Sequence, residues 1–168
     1  TMKWIKAGAA VLNQTPLDWD GNLAHILGAI QQARTQQVSL LCMPELCISG
    51  YGCEDAFHSP GLQRTAGEIL LEIVPQTRGM MASVGLPMMV GGGLFNTACM
   101  MADGQILGFV AKKNLAGEGI HYEQRWFKAW PEGARTKIEL GGRVYPLGDY
   151  MFDCGGIRIG FEICEDAW

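Results

Sequence analysis

The sequence predicts a single α/β domain. Three observations lead there. Residues 7–43 read as strand, helix, strand, and residues 85–111 break into short apolar segments of strand length. The composition is that of a globular core, 48% hydrophobic and 18% charged over 168 residues. A chain of this length is close to one domain and can bury a substantial core. Its 23 glycines amount to about twice the usual ~7% and predict many tight turns.

The elements follow in order. Residues 7–13 form a short apolar run, predicted as a buried strand, and Thr15-Pro16 with the 18–21 segment punctuates it as a loop. Leu23, Ile26, Leu27 and Ile30 then recur at helical spacing, with Asp20 or Asn22 as the expected N-cap and an end near Gln37. Residues 38–43 are a continuous apolar run stopped by Pro44. Leu62, Ala66, Ile69, Leu70 and Ile73 mark a second helix, ended by Pro75 or Gly79. Segments 88–95, 98–102 and 106–111 read as strands, and Asp103-Gly104 is a hairpin cue between the last two. Residues 112–140 are more polar and lack clear periodicity. Residues 150–154, the turn Gly155-Gly156 and residues 157–163 predict a second hairpin. A strand that ends five residues before Trp168 has no helix after it to pack against, which predicts a fragment.

Charge and cysteine usage narrow the function classes. The net charge is −4 with no lysine or arginine cluster, so the basic stripe that attracts nucleic acid is missing. No apolar run reaches the ~18 residues that cross a bilayer, and the 1–7 segment lacks the apolar core of a signal peptide. The six cysteines contain no Cys-x-x-Cys pair and stand beside only three histidines, which argues against a zinc site and a disulfide scaffold. A reducing, cytoplasmic setting is expected. His25 is expected on a helix surface, His58 and His121 lack ligand-spaced companions, and Gly91-Gly92-Gly93 is expected to allow close strand packing.

Three predicted strand ends each present a reactive side chain. Residues 38–43 run into Pro44-Glu45, residues 106–111 into Lys112-Lys113, and residues 157–163 into Cys164-Glu165-Asp166. A thiol needs a base or a nearby cation to supply its thiolate. A carboxylate can take that proton and pass it to a leaving amine, and a lysine can stabilise the oxyanion. Together they would cleave an amide through a thioester. The acids flanking Cys164 would raise its pKa, so Lys112 or backbone N–H groups must offset them.

These residues resemble a known family. Pro44-Glu45-Leu46, Lys112-Lys113-Asn114-Leu115 and Gly160-Phe161-Glu162-Ile163-Cys164-Glu165-Asp166 are similar to the three ordered motifs of the nitrilase (carbon–nitrogen hydrolase) superfamily. The strings from Pro44 through Asp55 and from Leu115 through Phe127 are similar to the glutaminase domains of the eukaryotic-like glutamine-dependent NAD synthetase family. The resemblance implies a four-layer α-β-β-α sandwich, incomplete at the C-terminus, with residues 1–168 as the N-terminal part of the glutaminase domain. It implies Glu45 as general base, Lys112 as the family's lysine, Cys164 as nucleophile and Glu123 as a supporting acid, with Lys113 as a satellite charge. The implied substrate is L-glutamine, and no cofactor is expected in this domain. The implied ATP and Mg belong to a synthetase domain that is absent from this chain, as does the dinucleotide. Homo-oligomers are also implied, with neither nucleic acid nor membrane as a partner. Two rival readings are a stand-alone hydrolase for another amide or nitrile, and a non-catalytic folding or assembly unit.

Overall fold

A computed structural model describes residues 4–168; the first three residues of the opening segment lie outside it. Its centre is a seven-stranded mixed sheet in the order β1-β2-β3-β4-β5-β7-β6. The strands are β1 (Ala7–Ala9), β2 (Leu40–Cys42), β3 (Met81–Val90), β4 (Gly93–Ala102), β5 (Gln105–Ala111), β6 (Arg135–Leu140) and β7 (Arg143–Gly148). β1, β2 and β3 are parallel neighbours, as a strand–helix–strand crossover requires, while β3, β4 and β5 form an antiparallel meander.

Helices α1 (Trp19–Thr35) and α2 (Pro60–Ile73) cover one face. Ile26, Ile30 and Ala33 of α1 and Ala66, Ile69, Leu70 and Ile73 of α2 pack with Leu41, Val84, Leu86, Cys99 and Met101. Each such fully buried aliphatic side chain contributes about 1.5–3 kcal/mol. Alternation along β4 sends Met100 to the opposite face, where it meets Val110, Phe152, Ile159 and Phe161. The last two of these partners sit on and just beyond a ribbon of β8 (Phe152–Asp153) and β9 (Arg158–Ile159), paired antiparallel. Helices, large sheet and ribbon are three of the four layers expected of the sandwich.

Several sequence expectations are corrected. The N-cap of α1 is Asp18, whose Oδ1 accepts from Gly21 N at 3.1 Å. Asn22 is buried instead, with its amide bonded to the backbone of Thr15 and Ile48. The predicted strand 88–95 spans a turn: Gly91 and Gly92 take φ +54 and +78, the left-handed pair that a tight two-residue hairpin demands, and join β3 to β4. The segment 112–140, expected to be irregular, ends in β6, which pairs with β7 through the Gly141-Gly142 turn. β1 is three residues long and edge-lying, with Ala7 and Ala9 exposed, not a buried strand over 7–13. His25 lies exposed on α1, as expected. Among the described residues, no helix is long and apolar enough to cross a membrane.

Candidate active site

Glu45 stands in a turn that the sheet shapes from beneath. Pro44 has no N–H for the ladder and ends β2. Leu46, at φ +51, then bends the chain across β3, where Ile48 N donates to Gly85 O at 3.1 Å. The backbone crosses so close to Gly85 that an added Cβ would press into Leu46 N and come within 2.9 Å of the Glu45 carbonyl carbon. Gly85→Ala is therefore expected to displace Glu45. The expected outcome is a loss of about 1–3 kcal/mol in urea unfolding from overpacking and of the order of 10²-fold in amide hydrolysis from misplacement. Unchanged values for both would remove Gly85 as the template of the turn.

Lys112 follows β5 directly and is pinned at both ends of its peptide. Its N–H donates to Asn96 O at 2.9 Å, and its carbonyl accepts from Trp130 N at 2.9 Å. Its side chain is fully covered. The ammonium lies 2.8 Å from Glu45 Oε1 and 2.9 and 2.8 Å from the two oxygens of Glu123. Glu123, also fully covered, opens the short helix α3 (Glu123–Trp126). It accepts from Ala116 N at 2.7 Å and from Tyr51 Oη at 3.0 Å. A bidentate pair between Asp55 and Arg125, with Trp126 Nε1 donating to Asp55 at 3.0 Å, clamps α3 to the 54–58 turn from the surface. That guanidinium holds the Asp55 carboxyl well below the usual carboxylate range.

Cys164 begins a short 3₁₀ turn, Cys164–Ala167, at φ +50, a conformation that L residues hold only where their surroundings impose it. Asp166 supplies the constraint. Its Oδ1 accepts from Lys113 N and Asn114 N at 2.9 and 2.7 Å, and its Oδ2 from Ile163 N at 3.1 Å. One carboxylate thus ties the cysteine turn to the loop that carries Lys112. The strand before Cys164 is half-buried: Ile157, Ile159, Phe161 and Ile163 turn inward while Arg158, Gly160 and Glu162 face out. It pairs over Arg158–Ile159, a shorter and less buried strand than residues 157–163 predict.

Glu45 and Cys164 line one small cavity of about 190 Å³ with Cys42, Ser83, Asn96 and Phe161. This is below the roughly 300–1,000 Å³ of sites for drug-sized ligands. A larger groove of about 570 Å³ along β1 and α1 contains none of the candidate residues. Lys112 does not line the small cavity but sits behind Glu45; Lys113 is half-exposed, 3.6 Å from Asp149, a satellite charge.

The electrostatics follow from one ammonium serving two carboxylates. Burial raises the Glu45 carboxyl above its ordinary 4.5, against the pull of Lys112 and with the push of Glu123. Burial alone would lower Lys112, but the bonds to Glu123 and Glu45 outweigh it and hold the ammonium charged. Partial desolvation and the Glu45 carboxylate raise the Cys164 thiol above 9.0, with Lys112 opposing. The resting site therefore holds a neutral thiol beside a buried carboxylate of raised pKa. The raised carboxyl is a stronger acceptor for the thiol proton than an ordinary surface carboxylate.

Sequence reasoning missed Asn96, Tyr51 and Asp166. Asn96 falls in the gap between the predicted strands 88–95 and 98–102, lies within β4 in the structure, and donates from Nδ2 to Glu45 Oε1 at 2.6 Å. Its Oδ1 is buried without a partner among the described residues, a cost of about 1–3 kcal/mol for an orphaned acceptor. The only signal was a polar residue within an apolar strand. Asp166 had a local signal too, an acid three residues after Ile163 in capping-box spacing.

An exposed thiol, an acid–lysine–acid cluster with its lysine fully covered and this layered α/β scaffold together fit a hydrolase of carbon–nitrogen bonds. The chain belongs to the carbon–nitrogen hydrolase family, which it matches over residues 6–168. More particularly, it is similar to glutamine-dependent NAD(+) synthetases. The crystal structure of the Cytophaga hutchinsonii enzyme superposes with a TM-score of 0.94 at 46% identity, over 96% of this chain and 28% of that one. The Acinetobacter baumannii enzyme, solved with adenosine diphosphate, gives a TM-score of 0.69 at 28% identity, over 86% of this chain and 27% of that one. The Drosophila melanogaster enzyme is 31% identical over 98% of this chain. The chain spans only 22% of the length of that relative.

Proposed function

We infer that this chain hydrolyses the side-chain amide of L-glutamine to glutamate and ammonia. The observation that carries this reading is the shared cavity: Cys164 and Glu45 line it together, with Lys112 and Glu123 locked behind Glu45. Glu45 takes the thiol proton as the sulfur attacks the amide carbon, and the carbonyl π electrons move onto oxygen. The backbone N–H after Cys164 donates to that oxyanion, and the positive charge of Lys112 favours it from behind Glu45. The tetrahedral centre collapses, the C–N bond breaks, and nitrogen leaves as ammonia with the proton from Glu45. Water, deprotonated by Glu45, then attacks the thioester and releases glutamate and the thiol. The balance closes with amide and water alone, and this reading assigns no cofactor to the domain.

The relatives' name, glutamine-dependent NAD(+) synthetase, supports the further reading that this ammonia serves NAD synthesis in a synthetase domain; the motif resemblance implies that the step there is amidation of deamido-NAD with ATP and Mg. A reducing, cytoplasmic setting belongs to the same reading, on the sparse cysteines that form no Cys-x-x-Cys pair.

The test is ammonia release from L-glutamine against a panel of other small amides and nitriles. Preference for glutamine is expected; preference for another amide would replace the substrate. The pH profile of the same assay follows from the site. Glu45 must be ionised to accept the proton, so kcat/KM should rise through a pKa above 4.5. It should fall again only above 9.0, where a thiolate formed without Glu45 leaves no proton for the departing nitrogen. A profile with no acid limb above pH 4.5 would remove Glu45 as the base.

A further inference from the structure

We propose that Asn96 reads the leaving nitrogen of the substrate: its side-chain oxygen accepts an N–H of the scissile carboxamide while its nitrogen holds Glu45. The proposal rests on the amidase reading above and adds a residue that sets amide specificity.

Four observations carry it. Asn96 lies on β4, 1% exposed, and lines the small cavity together with Glu45 and Cys164. Its Nδ2 donates to Glu45 Oε1 at 2.6 Å, which fixes the orientation of the amide, because the flipped form would set two acceptors against each other. With Nδ2 committed, Oδ1 is the one buried side-chain polar atom without a partner among the described residues. Native interiors rarely leave such an acceptor empty, and where they do a ligand, a water or a catalytic role accounts for it. Glu45 Oε1 receives both Lys112 and Asn96, at 2.8 and 2.6 Å, while no described hydrogen bond reaches Oε2. Oε2 is thus the oxygen free to exchange a proton with the thiol and the leaving group. The orphan oxygen of Asn96 belongs to the same amide whose nitrogen holds Oε1 of that carboxylate.

A primary carboxamide fits this pairing. Its nitrogen carries two N–H groups and becomes more basic as the carbonyl turns tetrahedral. One N–H donates to Asn96 Oδ1 and stays on nitrogen throughout, while the new proton arrives from Glu45. Asn96 neither gains nor loses a proton. An ester of the same acyl group offers an oxygen with no hydrogen to donate and leaves Oδ1 empty, as does the carboxylate product. A site built to pair a donor discriminates against the analogue that lacks it.

The test compares L-glutamine with the γ-methyl ester of L-glutamate on the full chain and on Asn96→Leu, which approximates the shape of Asn and lacks both polar groups. Loss of the Nδ2 bond disorders Glu45 and lowers kcat/KM for both substrates. Loss of Oδ1 lowers it for the amide alone. The expected result is an amide-to-ester ratio of kcat/KM that falls about tenfold or more relative to the unmodified chain. If Asn96→Leu does not fold by circular dichroism, the smaller Asn96→Ala, which also lacks both polar groups, carries the same comparison. An unchanged ratio, with both substrates slowed equally, would leave Asn96 as an orienting group for Glu45 and overturn the proposal. Hydrolysis of neither substrate by the unmodified chain would overturn the amidase reading on which it rests.

Discussion

Replacing Cys164 with Ala is expected to abolish amide hydrolysis, with a loss of the order of 10⁴-fold or more. Removing the nucleophile of a covalent mechanism leaves only binding and oxyanion stabilisation, and no other thiol stands in the same position. Cys42 lines the same cavity, but it lies on β2, before the Glu45 turn, and its thiol is directed to Met43 O at 3.8 Å. Cys47, Cys53 and Cys99 are buried with thiols raised by desolvation, which suppresses their thiolate forms. Cys164 is exposed and packs little against the core, so the substitution should leave the urea midpoint nearly unchanged. A folded Cys164→Ala chain that retained full ammonia release would end the thioester mechanism.

Lys112→Ala is expected to damage stability and activity together. The ammonium is the sole cation bonded to Glu45 and Glu123 among the described residues. Removing one member of a buried charge cluster strands the others, a loss of about 3–5 kcal/mol. Urea unfolding measures it directly. The same substitution removes the opposite charge that lowers the Glu45 carboxyl, so the acid limb of the pH profile should move upward. Pairing Lys112→Met with Glu123→Gln should recover part of the stability, because one uncompensated carboxylate is then gone, but not the activity. If Lys112→Ala lost less than about 1 kcal/mol, as for an exposed surface pair, the buried cluster would not exist in solution.

The sequence carried much of this site in plain view, and the reason is geometric. Parallel strands place their C-terminal ends on one edge of a sheet, so residues that follow apolar runs, such as Glu45 after β2 and Lys112 after β5, can meet although 67 positions separate them. Glu123 was legible only through its motif, since nothing in a polar stretch without periodicity marks an acid as fully buried. Asn96, Tyr51 and Asp166 are defined by what lies across the fold: a carboxylate 51 residues away, another 72 away and a pair of amides 53 and 52 away. No local pattern encodes such partners.

The elements show the same division. The α1 and α2 stripes and the Asp103-Gly104 hairpin were readable because each is local. The Gly91-Gly92 turn was misplaced because apolar residues continue on both sides of it and hide the boundary. β6 was missed because its alternation, Thr136, Ile138 and Leu140 inward against Arg135, Lys137 and Glu139, is that of a half-exposed edge strand carrying charge.

The most direct test of the account is covalent trapping with a glutamine-mimicking diazo-ketone, read by intact mass and peptide mapping with circular dichroism as the folding control. A single adduct on Cys164, prevented by excess L-glutamine and absent from Cys164→Ala, is the expected result. It would join the nucleophile, the cavity and the substrate in one observation. A folded chain that forms no adduct, or forms it on another cysteine, would contradict the site assembled around Glu45, Lys112 and Cys164.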